Sequence, residues 1–177
     1  AAPVGRYATT TAALADAALA SLVVGALVAA SLVGYGLAVA DSVGLGVGAA
    51  LSGWFFAGTT LVAAQLTSSA RGTYGLTGAV IGLSYGLRAI GDVSAPALSW
   101  VSPIGWYQGM HAFSGLRWWP ALLLALGAVA LAAAGYAVFD RRDFGAGVLT
   151  ARPGPVHAGR GLRSGIGLAW RLQRPAF

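Results

Sequence analysis

Residues 99–119 read SWVSPIGWYQGMHAFSGLRWW and lie between two long apolar runs. They hold Trp100, Trp106, Trp118 and Trp119, four of the chain's six tryptophans. Indole rings concentrate where hydrocarbon meets water, because the ring is apolar and its N–H needs a polar partner. The stretch therefore marks a membrane surface, and the runs beside it belong inside the bilayer.

Composition agrees. The chain is 57% hydrophobic and 9% charged, with a mean hydropathy of +0.73, where a soluble domain carries about a quarter charged residues. All eleven bases are Arg and all five acids are Asp, a bias of base composition rather than of mechanism. With no Cys, disulfides and thiolate metal sites are excluded. The net charge of +6 comes mostly from arginines after Phe139, which suits a membrane-surface tail better than a nucleic-acid face. The chain opens on Ala1, without Met or a signal-peptide n-region, and is expected to be a piece of a longer one.

Four spans are expected, at about 11–39, 43–66, 74–91 and 120–139, joined to outer helices at about 95–115. About 20 apolar residues cross a hydrocarbon core. The third run meets this only if Arg88 snorkels to the interface, and a re-entrant or half-buried helix is its alternative. Arg6, Arg71 and seven arginines after the fourth run lie at one level, against Arg88 and Arg117 at the other. Nine arginines against two place both ends in the cytoplasm and residues 99–119 outside.

Small residues recur at helical spacing. Gly78, Gly82 and Gly86 form a double GxxxG ridge; Gly44, Gly48 and Ser52, and Ser21, Gly25 and Ala29, form weaker ones. Such ridges let backbones approach when lipid is as apolar as the helix surface. The Gly78 triple is the one expected to pack helices.

Chemistry inside the runs is sparse. No Asp, Glu or His sits mid-run, no nucleotide-binding or hydrolase motif is visible, and His111 and His157 stand alone. No catalytic residue and no metal ligand is expected.

Within the outer stretch, Ser102 and Pro103 read as N-cap and first residue of a helix running to about Phe113 and stopping near Gly115. Trp106, Met110 and Phe113 then share one face. A shorter turn precedes it at about 96–101. Two readings stand: an aromatic anchor belt, with Trp118 and Trp119 as anchors, or two re-entrant helices closing the outer mouth of a pathway. Residues 1–10 read as a cytoplasmic turn, 140–165 as a basic linker, and 166–177 as an amphipathic helix with Trp170, Arg171 and Arg174 at the inner surface.

The pieces AQLTSSARGTYGL (64–76), LSWVSPIGWYQGMHAFSGLRWWP (98–120), DRRDFGAGVLTARPGP (140–155) and GLAWRLQR (167–174), taken in order, resemble the ABC-2-type exporter permeases. The likeness is greatest to actinobacterial permeases for polyketide antibiotics and tetronasin-type drugs. It implies an all-α polytopic membrane fold with six spans per half. Pro3, Val4, Gly5, Arg6 and Tyr7 would form the turn that docks on an ATPase. Ser102, Pro103, Trp106, Met110 and Phe113 would belong to an extracellular gate, and 166–177 would open a second half in the same longer chain. ATP and Mg would bind a separate, homodimeric ATPase subunit, and hydrophobic or amphipathic compounds would leave the cell through its plasma membrane. The first two spans of such a half and nearly all of the second half are absent from these 177 residues. An ion-coupled secondary transporter and a membrane assembly protein are the alternative functions.

Overall fold

The first two apolar runs fold into helices α1 (Ala8–Gly34) and α2 (Val39–Leu66) in the computed structural model, which describes residues 5–141. Four more helices follow: α3 (Ala70–Val93), α4 (Pro96–Ser99), α5 (Pro103–Gly109) and α6 (Trp119–Asp140). No strand occurs among the described residues, as hydrocarbon requires of a chain that must satisfy its own backbone polar groups.

The first connection is tighter than the expected boundaries at residues 39 and 43. Tyr35 N–H donates to the Ser31 carbonyl and Leu37 N–H to that of Leu32, with Gly36 at φ +84°. This left-handed cap ends α1 at a glycine that pays no Cβ penalty. One consequence is that Asp41, which falls in the gap between the expected runs 11–39 and 43–66, lies in the first turn of α2.

Helix α2 is the centre of the bundle, packed against α1, α3, α5 and α6. It runs antiparallel to α1, pairing Gly46 with Gly25 and Gly53 with Ser21. It runs parallel to α6, pairing Phe55 with Gly127 and Leu61 with Gly135. At the α1–α2 crossing the two backbones touch: a Cβ on Gly25 would meet the Gly46 carbonyl, and one on Gly46 the Gly25 carbonyl. The Trp54 indole then donates to the Ala18 carbonyl at 3.0 Å.

The interior is built of small side chains, with Ala50, Ala63, Ala121 and Ala128 buried. Large ones face outward: Leu19, Leu27, Leu122, Leu126 and Val129 are each more than 60% exposed. Lipid offers no hydrophobic reason to bury them, so close backbone packing decides what goes inside.

Helices α1, α2 and α6 are long and apolar enough to cross a membrane. The expected third span differs. Helix α3 is one continuous helix of 24 residues, about 36 Å long, so a re-entrant fold is not what forms there. It is not among the helices apolar enough to span alone, because Gly, Thr, Ser and Tyr dilute its apolar residues and Arg71, Arg88 and Asp92 lie near its ends.

The glycine ridge of α3 lies open. A Cβ added at Gly75, Gly78, Gly82 or Gly86 would meet nothing within 4 Å among the described residues. Among the described residues, Gly25, Gly46, Gly53 and Gly58 are glycines that face neighbouring helices closely.

Candidate functional site

Both ends of the bundle are built structures. At the end holding residues 99–119, Ser102 starts α5 as expected. Its hydroxyl accepts from Gly105 N–H at 3.4 Å and donates to the Ser84 carbonyl of α3 at 2.7 Å, with the side chain fully buried. Pro103 fills the first helical position, where a missing N–H costs nothing. The α4–α5 pair folds on itself so closely that a Cβ on Gly105 would strike the Ser99 backbone. Trp106 donates to the Trp100 carbonyl at 2.6 Å and sets its edge on Phe55, at 5.8 Å and 88°. Trp119 stacks on Trp100 at 4.8 Å. The pair is thus tied to α3, α2 and α6 at once.

Helix α5 is shorter than expected. It stops at Gly109, because His111 (φ 51°) and Phe113 (φ 68°) take left-handed backbone. Met110 is fully buried over Gly48, while Trp106 lies against Phe55 and Gly127. Phe113, beyond the end of the helix, is 44% exposed. Burial raises the Tyr107 phenol above its ordinary pKa.

Helix α2 supplies the bed of this cap. Met110 and Tyr107 lie over Gly48, Leu116 lies over Gly44, and the Asp41 carboxylate accepts from Phe113 N–H at 3.0 Å. Positions 41, 44 and 48 fall on one helical face. The glycines were visible as a ridge; Asp41 was hidden by its expected place in a loop, and its spacing to the ridge is the signal that could have found it.

Beside the cap, a cleft of about 280 Å³ is lined by Arg88, Asp92, Ser99, Trp100, Gln108 and His111. Arg88 pairs with Asp92 and donates to the Gln108 side chain. Its charge therefore sits at the cap level and not in the apolar part of the bundle.

At the opposite end, Arg6 donates to the Phe139 and Asp140 carbonyls, each at 3.3 Å, capping the negative end of α6. Its guanidinium also lies 5.3 Å from the Phe139 ring centroid. The Tyr7 hydroxyl donates to Asp140, and Thr11 and Tyr136 share a hydrogen bond of 2.8 Å. The bond to Asp140, followed by desolvation, raises the Tyr7 phenol above its ordinary value. Arg6 and Tyr7 are thus joined to α6. Gly5 is exposed. Pro3, Val4, Trp170, Arg171, Arg174, most of the 140–165 linker and the 166–177 helix lie outside the described residues. Trp118 and Trp119 are half-exposed at the cap level.

Between α1 and α2, on the Arg6 side of their crossing, a groove of about 420 Å³ is lined by Thr9, Leu14, Ala17, Thr60, Leu61 and Gln65 among others. Among the described residues no three His, Asp or Glu side chains gather as a metal site would need.

No protein-family model matches the sequence. Over 171 residues, 97% of this chain, it is 44% identical to the multidrug efflux system permease protein Rv1217c of Mycobacterium tuberculosis. The chain spans 31% of that relative's length. Three helices fit to cross a bilayer and a permease relative make this chain part of an all-helical, polytopic membrane protein.

Proposed function

We propose that this chain is part of the membrane subunit of an ABC-2-type exporter, of the kind that expels polyketide antibiotics and tetronasin-type drugs. The observation that carries the reading is the 44% identity to a multidrug efflux permease along nearly the whole chain. Both ends of the chain face the cytoplasm, and the α4–α5 cap closes the outer mouth. ATP and Mg bind a separate ATPase subunit that docks near residues 3–7. The geometry supports a route for its push. Arg6 and Tyr7 hold the end of α6, and the start of α6 holds the cap through Trp119 and Trp100. A tilt of α6 then reaches the outer mouth about 33 Å away along a 22-residue helix.

The open face of α3, with Gly78, Gly82 and Gly86 unpartnered and Tyr74, Leu83 and Tyr85 exposed, is where the second half of the permease sits. Hydrophobic or amphipathic compounds pass between the halves, selected by apolar shape. The test is affinity purification of the full-length permease from its own membranes. An ATP-binding-cassette ATPase is expected to co-purify in stoichiometric amount; its absence would count against the reading. A Ser114→Cys reporter is expected to react with an impermeant thiol reagent on intact cells, and reaction only after permeabilisation would reverse the topology.

A further inference from the structure

We infer that Asp41 is the positioning residue of the outer cap: its carboxylate latches the strained loop 110–117 onto α2. The inference rests on the reading above, in which the α4–α5 pair closes the outer mouth. Three residues in five, His111, Phe113 and Gly115, have left-handed backbone, at φ 51°, 68° and 99°. Glycine adopts this freely; His and Phe do so at a cost, because Cβ crowds the carbonyl. Something must hold them there.

Internal bonds close the loop without explaining its shape. Arg117 N–H donates to the Met110 carbonyl at 2.8 Å and Ser114 N–H to that of His111 at 3.0 Å. Contacts with α2 fix where the loop lies. Met110 seats over Gly48 and Leu116 over Gly44, but apolar seats set no backbone angle. The directional contact is the 3.0 Å bond from Phe113 N–H to Asp41 Oδ1. It reaches the backbone of the residue with the bulkiest side chain in the left-handed region. A charged acceptor makes a stronger bond than a neutral one, and this one sits on the central helix of the bundle. Strain held by a single charged bond makes a two-position device: bond made, loop seated; bond broken, loop free to relax and the cap to lift.

The test places one reporter thiol, Met110→Cys, in the loop; these 177 residues have no cysteine of their own, and any elsewhere in the full chain are replaced by serine. Its reaction with a maleimide is timed in open membrane fragments carrying the full chain. Asp41→Ala is expected to raise the labelling rate on the order of tenfold, the worth of a bond to a charged acceptor. Asp41→Asn, whose amide oxygen still accepts the N–H, is expected to stay within about threefold of the parent. Phe113→Gly added to Asp41→Ala is expected to restore slow labelling, because glycine holds the loop's angle unaided. Unchanged labelling in Asp41→Ala overturns the inference. So does failure of Phe113→Gly to restore it, since a carboxylate serving only the α2 N-terminus would be indifferent to residue 113. Labelling needs neither ATP nor a drug, so a failed latch leaves the exporter reading standing. A sound latch in membranes without ATP-driven efflux condemns the exporter reading alone.

Discussion

Replacing Gly25 and replacing Gly82 by alanine are expected to have opposite effects, although both glycines lie in GxxxG-like patterns. At Gly25 the new Cβ presses on the Gly46 carbonyl and lies 3.0 Å from the Ala50 Cβ and 3.3 Å from the Gly46 carbonyl carbon. None of these is the tip of a flexible side chain, so α1 and α2 must part. A gap of about 0.5–1 Å forfeits roughly a quarter to a half of each dispersion contact along the crossing. Overpacking of this kind costs about 1–3 kcal/mol, and the better helix propensity of alanine returns about 0.5–1 kcal/mol. The net loss is roughly 1–2 kcal/mol, about a five- to thirtyfold fall in the folded ratio. At Gly82 nothing lies within 4 Å, so only the propensity gain remains, about 0.5–1 kcal/mol. The assay is reversible unfolding of the 177-residue chain in mixed micelles, followed by helix content and by energy transfer between probes on α1 and α2. A Gly25→Ala chain as stable as the parent, or Gly82→Ala as costly as Gly25→Ala, would refute the packing scheme. In the full-length permease the proposed second half occupies the α3 ridge, and Gly82→Ala should then become destabilising.

Ser102→Ala removes a helix cap and a buried bond to α3, and should lower stability by about 1–2 kcal/mol in the same unfolding assay. Trp106→Phe should cost about 1 kcal/mol through the lost bond to Trp100, and Trp106→Ala about 3–5 kcal/mol; equal losses would show that the ring contact with Phe55 contributes little. The raised Tyr7 pKa means its bond to Asp140 contributes fully below the ordinary tyrosine value near 10 and is lost only as pH rises through the higher folded value. A spectroscopic titration compared with Tyr7→Phe should therefore show Tyr7 ionising above that value, and ionisation below it would contradict the geometry. Arg6→Glu sets a negative charge on the carbonyl end of α6 and should uncouple ATP hydrolysis from efflux in the full-length permease while insertion persists; normal coupling would count against the proposed route.

The sequence made some of this legible and hid the rest for physical reasons. The apolar runs and the Ser102–Pro103 start were readable because length and capping are local. The end of α5 was not: His111 and Phe113 take left-handed backbone, and Phe113 N–H bonds to Asp41, 72 residues away, which nothing local signals. The glycine ridges were visible as patterns, but spacing does not say which ridge has a partner. The most regular one, at Gly78, proved open, while the crossing formed at Gly25 and Gly46. Arg6 was singled out by its place in the PVGRY turn, yet its bonds to the end of α6 join segments more than 130 residues apart.

The central claim is that this chain serves a permease driven by ATP. The direct measurement is efflux of a hydrophobic dye from proteoliposomes holding the full-length permease and its ATPase, with ATP supplied and every ion gradient collapsed by ionophores. The account predicts transport that requires ATP and survives the ionophores. Transport that ignores ATP and stops when the gradients collapse would contradict it.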